Sequence, residues 1–192
     1  MRELDFATGN QHKVDEANLI LSEFGIKVKL SRVPKVEIQS DSLEEIAEFA
    51  AQTAFKKTGA PVVVEDSGLF IDFLNGFPGP YSSYAYRTIG CSGILRLLAG
   101  AAERSARFEC VVVYADEGTL RSFRGTSRGE ISETPRGVGG FGFDPIFVCE
   151  GCGGRTFSQL LPREKCAVSH RGRAFRALGE WLGNAVGYHT LK

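Results

Sequence analysis

The chain has 192 residues, 43% hydrophobic and 24% charged, a globular composition that excludes wholesale disorder. Its 23 Lys+Arg and 23 Asp+Glu cancel, which argues against a general nucleic-acid coat or a polybasic membrane binder. No run approaches the ~18 apolar residues of a membrane span, and Met1-Arg2-Glu3-Leu4-Asp5 lacks the apolar stretch of a signal peptide. A cytoplasmic protein is expected, with neither membrane nor nucleic acid as partner. Five scattered cysteines argue against a disulfide framework. Cys149-Glu150-Gly151-Cys152 has zinc-knuckle spacing, but no second such pair completes a tetrahedral site, and it reads as a glycine-rich hairpin tip.

Along the chain, Glu3 to Ala7 is a strand, and a helix from about Lys13 carries Val14, Ala17, Leu21 and Phe24 on one face until Gly25 ends it. Lys27 to Leu30 is a second strand. Asp41-Ser42-x-x-Glu45 is a capping box opening a helix striped by Leu43, Ile46, Ala47, Ala50 and Ala54. Val62-Val63-Val64 is a buried strand ending in Glu65-Asp66-Ser67-Gly68. Strands follow at Leu69 to Phe73, Arg107 to Tyr114, Leu120 to Gly125, Arg128 to Ile131 and Pro145 to Cys149, with turns at Pro78-Gly79-Pro80, at Asp116-Glu117-Gly118 and near Thr126. Short helices are expected at Ser92 to Ala99 and from about Arg173 to Leu182. There is no internal repeat, low-complexity segment or interdomain linker, so residues 1–192 read as a single α/β domain with a long mixed sheet.

Chemistry concentrates at four places. Thr8-Gly9-Asn10-Gln11-His12-Lys13 joins a strand to a helix, where backbone N–H groups favour an anion and Lys13 adds a cation. The same pattern occurs in ordinary strand-to-helix turns. Glu65-Asp66-Ser67 ends the most apolar strand; two carboxylates there suit a hard cation or a base, or merely cap a turn. Alternation sends Glu65 and Asp66 to opposite faces, leaving one principal ligand. The run Gly137 to Asp144 is followed by β pattern rather than a helix, so it is no dinucleotide loop. It brings Phe141, Phe143 and Asp144 near a ligand, although glycine-flanked phenylalanines also serve as core. Glu164-Lys165 and Ser169-His170-Arg171 read, by themselves, as the solvated start of the last helix.

Together these motifs are far more specific. The chain resembles the inosine triphosphate pyrophosphatase family, also called Ham1-like or XTP/dITP diphosphatases. The resemblance runs through Thr8-Gly9-Asn10-x-x-Lys13, Val64-Glu65-Asp66-Ser67-Gly68-Leu69, Gly76 to Ser82, Gly140 to Phe147, and Glu164-Lys165 with Ser169-His170-Arg171. It departs at Cys166, commonly Asn in the family, and at Phe143, often Tyr or Trp.

The resemblance implies an elongated two-lobed α/β fold around a long mixed sheet, with a nucleotide cleft between the lobes, and usually a homodimer. It implies Mg²⁺-dependent hydrolysis of deaminated purine nucleoside triphosphates (ITP, dITP, XTP) to monophosphate and pyrophosphate. The alternatives are a pyrophosphatase for other modified nucleotides and a non-hydrolysing nucleotide-binding module. The implied roles are Asp66 as metal ligand and general base, Glu37 as second metal carboxylate, and Lys13 as a catalytic cation. Thr8, Asn10, Lys13 and Lys165 would hold the phosphates, and Ser67 a phosphate or the sugar. Phe141 or Phe143 would stack on the base and Asp144 and Arg171 would hydrogen-bond it, with Gly9, Gln11, His12, Gly142 and His170 among the other substrate-binding residues.

Overall fold

The computed structural model describes residues 2–31 and 33–187. Strand β1 (Arg2–Phe6) leads into helix α1 (Gln11–Leu21), which starts where the Asn10 side chain accepts the His12 N–H. A short 3₁₀ turn ends at Gly25, whose φ of 67° is the left-handed conformation that glycine adopts most easily. Strand β2 (Ile26–Leu30) pairs parallel to β1. Helix α2 (Leu43–Thr58) begins as the capping box predicts, with Ser42 accepting the Glu45 N–H. Acidic residues occupy its first turn and Lys56 and Lys57 its last, complementing the helix dipole.

Strands β3 (Val62–Ile71), β5 (Ser105–Ala115) and β6 (Leu120–Ile131) form a long antiparallel ribbon. Two expected breaks are therefore absent. Leu69 to Phe73 is not a separate strand, because β3 continues through Gly68. The turn near Thr126 is also absent: β6 stays in register with β5 from Leu120 to Glu130, so every ladder position is satisfied without reversal. The strand β4 (Pro78–Gly79) pairs with β3, and β7 (Phe147–Cys149) closes the far edge of β6. The order is β2-β1-β3-β5-β6-β7, with β4 beside β3.

The helical pattern after Tyr81 is richer than expected. Helix α3 (Ser82–Thr88) precedes α4 (Gly90–Leu97), which begins two residues before Ser92. Near the end, α5 (Pro162–Val168) starts where Glu164 accepts the Leu161 N–H at 2.8 Å. Helix α6 (His170–Gly187) starts three residues before Arg173.

Three apolar clusters hold the layers. Helices α1 and α6 cover one face of the sheet through Val14, Ile20, Phe175 and Leu178 against Phe6, Val63 and Val112. The alanines of α2 cover the other, against Val62, Val64, Val111 and Val113. At the opposite end of the ribbon, Leu69, Ile71 and Phe108 meet Ile94, Leu98, Phe143 and Phe147 in a separate core. These are the two expected lobes, joined by the long strands.

Candidate active site

The site opens at a gap in the sheet. β1 pairs with β3 only at Val62 and Val63, with the Ala7 N–H adding a last bond to the Val63 carbonyl. β4 meets β3 only from Leu69 onward. Between them, among the described residues, this edge of β3 has no strand beside it. The gap lies off the C-terminal ends of two parallel strands whose following helices, α1 and α2, cover opposite faces, the arrangement in which open α/β sheets place ligands. A cavity of about 870 Å³ fills it.

Thr8, Gly9, Asn10 and Lys13 form one wall, at the N-terminus of α1. A Cβ at Gly9 would meet nothing within 4 Å, so the backbone there borders open space. The Lys13 ammonium lies 3.3 Å from Glu65 Oε2. Gln11 and His12 are exposed and off this wall: Gln11 donates to Asp15 at 2.8 Å, and the His12 ring stacks on Phe141 at 5.6 Å.

The β3 carboxylates diverge as alternation requires. Glu65, wholly buried, turns toward α1 and α6; Asp66 turns toward the cavity on the α2 side. Burial alone would raise the pKa of Glu65, but Arg171 and Lys13 outweigh it and hold the group well below the usual carboxylate range. For Asp66 burial prevails, and its pKa is raised although Lys35 and Lys13 oppose it. Asp66 Oδ1 accepts from Lys35 Nζ at 2.8 Å, while Oδ2 is buried with no hydrogen-bond partner among the described residues. Lys35 also reaches Glu37 Oε1 at 2.6 Å. Sequence reasoning missed Lys35, which sits in an irregular loop with no periodicity to mark it.

The opposite wall carries Phe141, Gly142, Phe143, Asp144, His170 and Arg171. The segment from Lys165 to Arg171 is not a solvated helix start: Lys165, His170 and Arg171 are at most 4% exposed. Lys165 is absent from the cavity wall; its ammonium lies 2.6 Å from both Asp144 Oδ2 and Glu16 Oε1, behind Phe141. Phe143 belongs chiefly to the second core, its ring edge-on to Tyr86 at 5.3 Å. His170 stacks on Phe108 at 4.6 Å, with Nδ1 buried and without a partner among the described residues. Burial, reinforced by Arg171 and Lys165, holds the His170 pKa well below its ordinary value, so the ring is neutral at pH 7.

Glu16 was also missed. It stands three residues after Lys13 on the inward face of α1 and accepts from both Lys165 and Arg171, at 2.6 and 2.7 Å. Its place beside the buried Ala17 was the available signal. Arg171 donates through Nε and Nη2 to Glu65, through Nη1 to Glu16 and through Nη2 to Ser67. A guanidinium has five N–H groups, so among the described residues one remains without an acceptor, on Nη1. Asp144 Oδ2 accepts from Lys165 and from the Phe141 N–H. No described residue donates to Oδ1. The two ends of the cavity are thus linked by a chain of alternating charge beneath its floor: Lys13, Glu65, Arg171, Glu16, Lys165, Asp144.

The Ham1 family model matches residues 4–181. A protein of Methanopyrus kandleri named dITP/XTP pyrophosphatase is 51% identical over 182 residues, which are 94% of this chain and 96% of that one. A Thermococcus kodakarensis protein of the same name is 48% identical over 179 residues, 93% of this chain and 96% of its own. The solved structure of a HAM1 protein from Coxiella burnetii superimposes with a TM-score of 0.84 at 34% identity, covering 96% of this chain and all of that one. The Staphylococcus aureus Ham1 structure gives 0.82 at 30% identity, with 96% of this chain and all of that one covered.

Proposed function

The chain belongs to the Ham1 family, and we propose that it hydrolyses deaminated purine nucleoside triphosphates (dITP, XTP and ITP) to the monophosphate and pyrophosphate. The observation that carries this reading is the cavity itself, with a carboxylate pair and cations at one end and an aromatic, hydrogen-bonding pocket at the other. The names borne by relatives of 48–51% identity agree with it. We further propose one domain over residues 1–192 and a cytoplasmic setting, both on the sequence pattern, and a homodimer on family resemblance. Among the described residues no helix is long and apolar enough to cross a membrane.

The residues at hand fit a hard divalent cation. Asp66 Oδ2 is a buried oxygen without a partner among the described residues, and Glu37 stands across Lys35 from it. Mg²⁺ characteristically takes one or two carboxylates and completes its shell with substrate phosphates and water. Glu37 and Asp66 would hold it. When bound, it would neutralise phosphate charge and polarise the reacting phosphoryl group.

The chain's own residues supply the rest. The α1 N-terminus with Thr8, Asn10 and Lys13 receives phosphate oxygens where positive potential is already fixed. Ser67 lies between the two ends, suited to sugar or phosphate. Asp66, made more basic by burial, takes the proton of the attacking water. The water oxygen bonds to phosphorus as the P–O bond linking the α- and β-phosphates breaks, and the leaving phosphate oxygen departs with that electron pair. Lys165 stands behind the wall as the partner that positions Asp144, a different role from direct phosphate binding.

Base choice follows from hydrogen-bond polarity. Hypoxanthine and xanthine present an O6 acceptor beside an N1–H donor; adenine reverses both. The spare Arg171 N–H can only donate, and ionised Asp144 Oδ1 can only accept. Adenine would leave both buried groups unpaired, a mismatch worth ~10⁴-fold or more where a site is built to hydrogen-bond its substrate. Phe141 stacks on either base. Guanine shares the O6 and N1–H pattern, so its exclusion rests on its 2-amino group.

The test is pyrophosphate release from a panel of dITP, XTP, ITP, GTP, ATP and modified pyrimidine nucleotides, with and without Mg²⁺. Preference for the deaminated purines, and dependence on the metal, are expected. Turnover of ATP at the rate of ITP would overturn the reading. Tight binding without release would leave a sensing module.

A further inference from the structure

Among the described residues, three cations (Lys13, Lys35, Arg171) and three carboxylates (Glu37, Asp66, Asp144) line the cavity. Each cation is already paired: Lys13 with Glu65, Arg171 with Glu65 and Glu16, Lys35 with Glu37 and Asp66. A triphosphate brings about four negative charges to walls whose charges cancel. Lys13 and Arg171 have partners set below the floor, and these need not change. Lys35 differs. Its two partners are the carboxylates assigned above to the metal, and its ammonium occupies the ground between them at 2.6 and 2.8 Å.

We propose that Lys35 is a displaceable counter-ion: it bridges Glu37 and Asp66 in the free protein, and the incoming metal nucleotide turns it from those carboxylates to the phosphates. The inference rests on the reading of Glu37 and Asp66 as metal ligands. A divalent cation and an ammonium compete for the same oxygens. The free protein therefore binds the metal weakly, and metal and triphosphate enter together. The Lys35 side chain is only 10% exposed, so an ammonium driven off the carboxylates needs a new anionic partner inside the cavity. Substrate phosphate is that partner. The device guards against idle metal loading, and it adds a phosphate cation beyond Lys13 that appears only with substrate.

The experiment measures metal binding without nucleotide, using Mn²⁺ by electron paramagnetic resonance and Mg²⁺ by calorimetry. If Lys35 closes the pair about nine-tenths of the time, its removal exposes the full site and tightens binding about tenfold. Lys35→Gln should therefore bind Mn²⁺ about tenfold more tightly than wild type, and Lys35→Arg should stay weak because the charge is kept. At saturating metal, Lys35→Gln should raise KM for dITP more than it lowers kcat. A structure of the wild-type protein with Mg²⁺ and pyrophosphate needs no variant to fold, and Lys35 Nζ should there lie on phosphate oxygen, away from Asp66. Unchanged or weaker metal binding in Lys35→Gln overturns the proposal, as does a Lys35 still bonded to Asp66 in that complex. Absence of dITP hydrolysis by the wild type would instead refute the functional reading, so the two failures are separable.

Discussion

Arg171 grips Glu65 through two nitrogens, Nε to Oε2 at 3.2 Å and Nη2 to Oε1 at 3.1 Å, joining positions 106 residues apart beneath the cavity. Glu65 is wholly buried and Arg171 is 2% exposed. The pair ties α6 to the central strand β3 and fixes the direction of the one remaining guanidinium N–H. A residue proposed for base recognition is therefore also part of the scaffold. Removing it does two things at once.

Arg171→Ala should lower stability by ~3–5 kcal/mol, because it takes the bidentate partner from the buried Glu65 and leaves only Lys13 beside that charge. Chemical denaturation of Arg171→Ala and of the double variant Glu65→Gln/Arg171→Met separates the effects, since the latter removes both buried charges of the pair, leaving Glu16 on Lys165 and only the partly exposed Lys13 without its carboxylate. The double variant should recover much of the stability and still lose discrimination between ITP and ATP. Phe141→Ala should weaken all nucleotides by ~1–3 kcal/mol of lost stacking, with the ratio nearly unchanged. A larger change of that ratio in Phe141→Ala would reverse the assigned roles.

Asp66→Asn should retain the fold, because burial already disfavours the charge at that position and Lys35 keeps Glu37 as partner. Turnover should drop by ~10²–10⁴-fold from loss of the base alone, with weakened metal binding in addition. Pyrophosphate release under metal and substrate saturation measures it. Activity within a few-fold of wild type would remove Asp66 from the chemistry.

Acid should destabilise this protein earlier than its carboxylates alone would. His170 is held neutral in the fold, well below the ordinary value of 6.5 that applies once it is unfolded. Below 6.5 the unfolded chain takes up a proton that the native state refuses, so stability falls as pH drops from 6.5. Glu65 acts in the same direction further down. Its depressed pKa contributes stability that is complete above 4.5 and is lost as pH falls below that value. Urea midpoints from pH 8 to 5 should show the first slope, and His170→Gln should flatten it. An unchanged slope in that variant would exclude His170 as its source.

Gly125→Ala should be severe for a residue inside an ordinary strand. An added Cβ would fall on the His170 carbonyl oxygen and the Ala174 nitrogen, both backbone. Helix α6 would have to move away from β6, taking His170 and Arg171 with it. A loss above the ~1–3 kcal/mol of ordinary overpacking is expected, together with a raised KM for dITP. Gly118→Ala, where nothing lies within 4 Å, is the control in both measurements.

Local signals determined much of this protein. The Ser42–Glu45 capping box announced the start of the second helix and Gly25 the end of the first, because capping is satisfied within four residues. Alternation alone separated Glu65 from Asp66, since adjacent strand residues must face opposite ways. The ordered motifs also marked both walls of the cavity. The continuity of β6 through Thr126 was hidden, because a strand with glycine and polar residues reads as a turn until β5 and α6 lie against it. The same holds for charge. Lys165 and Arg171 look like solvent-facing cations in a polar segment, and only tertiary contact with Glu16, Asp144 and Glu65 makes them interior groups. Glu16 and Lys35 carried no motif in the reading because their roles depend on distant partners, Asp66 31 residues from Lys35 and Arg171 155 residues from Glu16. Coulomb attraction acts through space and is strongest where water is excluded. Which charges meet in that dry interior is decided by the fold, after local pattern has placed its helices and strands.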